Sequence, residues 1–597
     1  MEETPTTDWK WLLGLGLVVI GAVYLRAVTF GHMSGYDDYY YLFGRPEVKD
    51  WWSASWRRRL MTEGVGYWMP VPTFIYAHLR LLFGEQYVHA VHAFNIGVHL
   101  VNVWLVFSLV RRWADVRVGV LVALLWGIHP VQVESVAWVT NTKNVLFATG
   151  TLSGLLIWER HLDGEGRFDS LAFTAGTISV IFLLTLGCRP EAALFPMLLV
   201  ATLVRREVSL EMVRGAAIVV AVPVVVAGLY VPYVVSGYDD VVTGMIQENT
   251  VRGRYVCVTR AFEETVRHFV FPFDLEPAYF LRSDVTLVDT LPGAFAILTL
   301  TALLAVLLLK RLRGLLFPLV FALVAYAPYS QVFAVPRLTA DTYLYLPSIG
   351  GILFVVRALE RLAERRSKEK GGEASGRLKQ GFVIAVIVVF AGLGAVTHFQ
   401  VGRWRNPITL WRPVLAKSPK VWRPYAHLAE EHMERGNWER SAAILDTGMD
   451  VFRRSHKYPS FMPMVYEKVG RPDKALAIAV EALKRDRSVE PFQYQVFLGL
   501  LARHGFALRD GRELEGLVEK AVDVMTSNER WMQDRRQRLP LAAYFVRHER
   551  PDLARPFLAR ELASKEPHCA AWELVESLPK AKRRELTEQG PPARCRR

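Results

Sequence analysis

Apolar and polar positions divide the chain at about Phe399. Before that point the sequence passes through apolar runs at roughly 10–30, 88–110, 118–133, 145–158, 169–187, 191–204, 214–235, 291–309, 314–334, 343–357 and 380–398. A spanning helix needs about 20 mostly apolar residues. These about eleven runs therefore predict a polytopic α-helical membrane domain over 1–399. After it no long apolar run remains, and from Val421 the apolar positions recur at helical spacing. "HLAEEHMERGNWERSAAILDTGM" from His427 and "MVYEKVGRPDKALAIAVEALK" from Met464 align on Gly436 and Gly470. Large residues precede each glycine and small ones, such as Ala475 and Ala482, follow it. A weaker unit starts at Tyr544, and 500–540 fits the pattern poorly. This is tetratricopeptide-like spacing, which brings two antiparallel helices close together and stacks such pairs into a solenoid. The expectation is an all-α chain: membrane domain 1–399, linker 400–420, TPR-like helical repeats 421–580 and a basic tail 581–597.

Charge adds a topology. The basic clusters "RRWADVR" from Arg111, "RREVSLEMVR" from Arg205, "KRLR" from Lys310 and the run from Arg357 fall in alternate loops. Those loops are expected to be cytoplasmic. The N-terminus is then cytoplasmic. The loop after the first run, the segments 129–144 and 236–290, and the whole C-terminal domain lie on the opposite face. "WRRR" at 56–59, close to Trp51 and Trp52, breaks the trend and reads as an interfacial segment. Much of the net charge of +14 sits in these loops, so the excess reports topology and a nucleic-acid partner is discounted. The first run lacks a small-residue cleavage pattern and is expected to stay as a span. The four cysteines, Cys188, Cys257, Cys569 and Cys595, form no CxxC pair or spaced cluster, so neither a zinc site nor a disulfide framework is expected.

The chemistry lies on the non-cytoplasmic face. "SGYDDYYYLFGRPE" from Ser34 sets Asp37 and Asp38 side by side just beyond the first run. A charge at mid-bilayer costs on the order of 3 kcal/mol, and less at the boundary. Adjacent carboxylates raise each other's pKa, which suits a general base. Two adjacent aspartates could also hold a divalent ion through oxygen. The same face carries "HPVQVESVAWVTNTKNVLF" from His129, "GCRPE" at 187–191 with Arg189, "VRGRYV" at 251–256 with Arg254, and "VPRLTADTYLYLPSIG" from Val335 with Arg337. Lys143, Arg189, Arg254 and Arg337 are candidates for holding a phosphate. Tyr39, Tyr40, Tyr41, Trp51, Trp52, Tyr67 and Trp68 could stack on a sugar, or form an interfacial belt. Each signal also has an ordinary reading: an acidic pair after a span is often solvated loop, His129 before Pro130 can simply end a span, and Lys143 can snorkel.

The order of these segments carries a resemblance. "GYDDYYYL", "YWMPVPTFIYAHLRLLFG", "HAFNIGVHLVNVWLVFSLVRR", "HPVQVESVAWVTNTKNVLF", "FPFDLEPAY", "YSQVFAVPRLTADTYLYLPSIG" and "RWRNPITLWRPVLAKSP" follow one another over most of the chain. The set resembles the polytopic, tetratricopeptide-bearing glycosyltransferases of the GT-C superfamily, both bacterial members and the eukaryotic transmembrane-and-TPR O-mannosyltransferases. The resemblance implies a sugar donor on a polyprenyl phosphate, with Asp37 as base and Asp38 orienting the acceptor or binding a metal. It places His129 and Glu134 near the site, and Tyr345 joins the substrate-binding candidates. Relatives usually read "ERKD" where this chain has "NTKN" at 141–144, "ADRYTYLP" where it has "ADTYLYLP" with Thr342, and "LSKP" where it has "LGCRPE".

The reading that follows is a membrane glycosyltransferase of a bacterial inner membrane, moving a hexose such as mannose to a hydroxyl acceptor of an exported protein. Its partners would be the bilayer, the lipid-linked sugar and a peptide acceptor held by the repeats. A non-enzymatic scaffold is the rival. A transporter fits less well, because the polar residues gather at one face. Geometry separates enzyme from scaffold: an enzyme should bring Asp37, Glu134 and the basic residues within one cavity open to the bilayer, and a scaffold need not.

Overall fold

The computed structural model describes residues 9–33, 37–55, 68–242, 250–280, 285–333, 335, 337–370, 372–485, 489, 491–505, 512–527, 532, 535–562, 569–578, 580 and 583. The "WRRR" segment, Tyr67, Cys595 and most of the basic tail lie outside the described residues. Every element among the described residues is helical. The chain forms two compact units, Met1–Val414 and Leu415–Arg597. The stretch expected as a linker is largely helical: one helix ends at Arg403 and another covers Pro407–Lys417.

In the first unit five helical segments are long and apolar enough to cross a membrane: Trp9–Thr29, Pro70–Trp113, Leu210–Val234, Val288–Leu309 and Gly381–Arg403. A sixth is the pair Val116–Ile128 and Pro130–Ala137, bent by 57° where Pro130 ends the first helix. Leu171–Leu186 and Arg313–Tyr329 are apolar but shorter. The protein is thus a multi-pass integral membrane protein. The other expected runs differ for visible reasons. The run at 191–204 is cut by Pro190 and Pro196 into three short pieces, Pro190–Leu194, Phe195–Ala201 and Thr202–Arg205. The run at 145–158 lies within Thr142–Leu162, a helix with Lys143, Asn144 and Glu159 among its buried residues. The segment expected as a long loop, 236–290, contains the end of helix Leu210–Val242 and the amphipathic helix Val251–Val270.

Helices Tyr87–Trp113 and Thr142–Leu162 lie inside the unit and carry buried polar residues. Asn102 donates to the Val145 carbonyl at 2.9 Å, and Asn95 to the Val139 carbonyl at 3.0 Å. The outer helices instead leave large apolar side chains uncovered, among them Val383, Ile387 and Val388 of the helix ending at Arg403, as expected of residues that face lipid. At one end of the bundle the basic clusters meet around Glu159, which is fully buried. Glu159 accepts from Trp113 at 2.9 Å and Arg206 at 2.8 Å, and pairs with Arg205. Arg112 reaches Asp163 at 2.8 Å and Glu165 at 2.7 Å, and Arg313 donates to the Arg206 carbonyl at 3.1 Å.

The second unit is a row of helical hairpins: Trp422–Glu434 with Trp438–Ser455, Met462–Lys468 with Pro472–Arg485, Pro491–His504 with Arg512–Ser527, and Arg535–Arg547 with Pro551–Leu562. Gly436 and Gly470 stand at φ +76° and +74°, the left-handed conformation that lets a chain leave one helix and start the next. Cys569 is disulfide-bonded, against the expectation of no disulfide framework; spacing rules detect clusters and miss a single bridge.

Candidate active site

Asp37 and Asp38 open a helical turn that widens into a turn of π-helix, Tyr39–Gly44. The two carboxylates take opposite environments, because adjacent residues on a helical turn point about 100° apart. Asp38 is fully buried, whereas the Asp37 side chain is 44% exposed. Asp38 accepts from the Met33 N–H at 2.6 Å and the Trp138 indole at 2.7 Å, and the Thr140 hydroxyl also donates to it. Burial outweighs these three donors, so the Asp38 carboxyl pKa is raised to about 6.

Trp138 and Thr140 come from the irregular stretch that follows Pro130. Three short turns run from there: Pro130–Gln132, Val133–Ala137 and Val139–Asn141, all buried. Irregular backbone inside a helical bundle must find hydrogen-bond partners. Here side chains supply them. Tyr76 donates to the Thr140 carbonyl at 3.0 Å, Asn95 to that of Val139 at 3.0 Å, and Asn141 to that of Glu134 at 3.0 Å.

This stretch brings the charged candidates together. The Lys143 Nζ stands 3.8 Å from Asp37 and 4.5 Å from the centre of the Tyr41 ring. Burial works against the Lys143 charge, but Tyr41, Asp37 and Tyr76 outweigh it, so its ammonium pKa lies above the ordinary value. One residue on, the Asn144 oxygen accepts from Arg189 at 2.8 Å. Arg189 is also gripped by Glu191, at 2.9 and 2.5 Å. Glu134 is buried and receives Arg337 at 2.6 Å and the Thr342 N–H at 3.0 Å. Arg337 reaches further, to the Pro277 carbonyl at 2.6 Å. Asn141, Asn144 and Thr342, the positions that depart from the resembled family, are hydrogen-bonded neighbours. Asn141 donates to the Thr342 hydroxyl at 3.1 Å and Asn144 to its carbonyl at 3.4 Å. Contacts link Asp37 with Lys143, and Arg189 with Asn144, Thr342, Glu134 and Arg337; the two sets meet where Lys143 and Asn144 are consecutive in the chain.

Three candidates stand elsewhere. Tyr345 is a core residue: its hydroxyl meets His99 at 2.7 Å and Asn102 at 3.2 Å, and its carbonyl meets the Trp126 indole at 2.8 Å. His129 is buried where the helix breaks, stacked on Phe269 at 5.6 Å. Arg254 touches the Arg337 loop, through the Gln331 carbonyl at 3.5 Å, and not the acidic pair. The Arg337 segment also carries Asp341, a further buried carboxylate in addition to Asp38 and Glu134. Tyr279 donates to it at 2.7 Å, and the His268 Nδ1 lies 3.8 Å away. Burial and the nearby Glu134 charge raise its pKa well above the carboxylate range. A metal does not fit the acidic pair, because both Asp38 oxygens are already taken by N–H and O–H donors. Among the described residues no three His, Cys, Asp or Glu side chains gather as ligands.

The raised Asp38 pKa has a measurable consequence. An unfolded aspartate titrates near 4, so between about pH 4 and 6 the native state keeps a proton that the unfolded chain has lost. The stability from this group is fully present below about pH 4 and is lost as pH rises through 6. The unfolding free energy of wild type relative to Asp38→Asn is expected to fall by about 3 kcal/mol from pH 4 to 7. Denaturation of the detergent-solubilised protein across that range checks this; a difference flat with pH would refute it.

No family model matches the chain. Over 109 residues the chain is 30% identical to a Drosophila melanogaster protein named Protein O-mannosyl-transferase Tmtc1, a stretch that is 18% of this chain and 13% of that relative. The resemblance read from the motifs is borne out over that stretch. Among solved structures, the chain aligns with the Archaeoglobus fulgidus oligosaccharyltransferase in its apo form with a TM-score of 0.41 and 12% identity, over 66% of this chain and 56% of that one. With the same enzyme tethered to an acceptor peptide containing the NVT sequon the values are 0.42 and 12%, over 73% and 59%.

Proposed function

We propose that the protein is a membrane glycosyltransferase that moves a hexose from a polyprenyl-phosphate carrier to a hydroxyl acceptor. The observation that carries the reading is the pairing of a half-exposed carboxylate, Asp37, with a buried ammonium, Lys143, at 3.8 Å. An acceptor hydroxyl at Asp37 gives up its proton to the carboxylate as its oxygen forms a bond to the sugar's anomeric carbon. The bond from that carbon to the carrier's phosphate oxygen breaks, and the phosphate leaves with the bonding electrons. Attack opposite the leaving phosphate inverts the anomeric centre. Lys143 meets the negative charge on the phosphate. Arg189 and Arg337 serve it less directly, because Glu191 and Glu134 already hold them. Asp38 is a positioning residue that fixes the turn carrying Asp37.

Mannose is the hexose favoured by the name of the Drosophila relative, and Ser or Thr of an exported protein is the matching acceptor. The hairpins of the C-terminal unit, with glycines at the turns as in tetratricopeptide repeats, are the surface for a peptide acceptor. A non-cytoplasmic site suits a lipid-linked donor.

The direct test supplies radiolabelled polyprenyl-phosphate hexoses to membranes containing the protein and a Ser/Thr-rich acceptor. Transfer above the level of protein-free membranes is expected with the mannosyl donor. If transfer fails with every hexose while the C-terminal unit captures partners, the scaffold reading replaces this one. Lys143→Met is expected to raise the donor KM about tenfold or more, the loss of one hydrogen bond to a charged group. Initial rates against donor concentration measure it.

A further inference from the structure

A cavity of about 480 Å³ is lined by none of the residues that hold Asp38, although Phe43, in the turn after the acidic pair, forms part of its wall. One wall is the short helix Pro46–Lys49 with the turn after it; the other is helix Pro70–Phe83 with the turn at Gly84. Its volume is in the range of sites that enclose a small ligand.

The lining is specific. It combines two cations, Lys49 and Arg80, with two anions, Asp50 and Glu85. Aromatic rings stand among them. Trp51 and Trp52 lie 5.9 and 6.1 Å from the His78 ring, and the Arg80 guanidinium stands 5.2 Å over Tyr87. Leu81 lines the cavity and is 65% exposed, and the next residue, Leu82, is 73% exposed. Leu81 and Leu82 close the helix Pro70–Phe83, just before the helix Tyr87–Trp113 that carries the expected span at 88–110, so their exposed side chains form an apolar edge beside that span. The cavity therefore opens where a membrane segment meets its loop.

We propose that this cavity holds the zwitterionic headgroup of a membrane phospholipid. The phosphate lies against Lys49 and Arg80, which carry the opposite charge. The ammonium lies against Asp50 and Glu85 and over the tryptophan rings, whose faces attract cations. The acyl chains run over Leu81 and Leu82. A purely anionic headgroup would leave the two carboxylates facing a phosphate, and a sugar would leave the exposed leucines without a partner. The site is independent of sugar transfer, so either reading can fail without the other.

The test uses the full-length protein, delipidated in detergent and followed by native mass spectrometry. It is titrated with phosphatidylethanolamine or phosphatidylglycerol of identical chains. Phosphatidylethanolamine is expected to bind about tenfold tighter, the equivalent of one charge-assisted contact. Glu85→Gln is expected to bring the two lipids to near equality, because only phosphatidylethanolamine uses that carboxylate. Lys49→Gln is expected to weaken both by a similar factor, because both carry the phosphate. Unchanged unfolding midpoints in the two variants separate loss of binding from loss of fold. Equal binding by wild type, a preference untouched by Glu85→Gln, or displacement of the lipid by free hexose would each overturn the proposal.

Discussion

Asp37→Asn is expected to lower hexose transfer about a thousandfold, within the range a general base contributes, while the melting temperature stays at the wild-type value. The two halves of this expectation come from the same geometry. Asparagine keeps the shape of aspartate but cannot accept the hydroxyl proton at neutral pH. The stability half follows because the Asp37 side chain is 44% exposed and its ion pair with Lys143 is long at 3.8 Å. Lys143 is buried, but its ammonium also stands over the Tyr41 ring at 4.5 Å and the Trp138 ring at 5.5 Å, so it keeps partners when the carboxylate is neutralised. Asp38 behaves differently, since it is fully buried and takes three donors. Its variant should disturb stability as well as rate. Transfer assays and thermal unfolding on the two variants at matched expression decide the matter. If Asp38→Asn alone lost transfer with no change in stability, the base would be Asp38. If Asp37→Asn transferred sugar at the wild-type rate, the acidic pair would leave the mechanism.

The sequence made the helical class and the acidic pair legible because both depend on local pattern. Apolar length marks a span, and two carboxylates next to such a run are conspicuous. What it did not show is which carboxylate is buried. That depends on Trp138 and Thr140, about a hundred residues away, and no local pattern links them to Asp38. Of the expected runs, five or six appear among the described residues as helices long and apolar enough to cross a membrane, and the run at 191–204 is broken near Pro196 although hydropathy reads it as continuous. Tyr345 was misplaced for a related reason. A tyrosine in a polar segment suggests a ligand contact, yet its hydroxyl is consumed by His99 and Asn102. Asp341 stands out in the sequence only as one charge of the Arg337 segment, and its burial shows once Tyr279 and His268 are folded against it.

Arg337→Met is expected to cost about 3–5 kcal/mol of stability, the price of leaving a buried carboxylate without its partner. Glu134 is 1% exposed and keeps only the Thr342 N–H once the guanidinium is gone. Arg337 also ties two other segments together, since it donates to the Pro277 carbonyl at 2.6 Å from a loop that leads into Asp341. Burial and the Glu134 charge raise the Asp341 carboxyl pKa well above its ordinary value. With Arg337 removed, Glu134 itself must either bind a proton or drag water into the bundle. Either route loosens the stretch from Pro130 to Asn141 that supplies Trp138 and Thr140 to Asp38, so transfer should fall along with stability. Glu134→Gln with Arg337→Met removes both charges and should recover a substantial part of the loss. A double-mutant cycle on unfolding free energy isolates the pair term. Additive losses would mean that the pair is not coupled and that Arg337 acts through Pro277 alone. Recovery of stability without recovery of transfer would place Arg337 in the donor's phosphate site as well as in the fold.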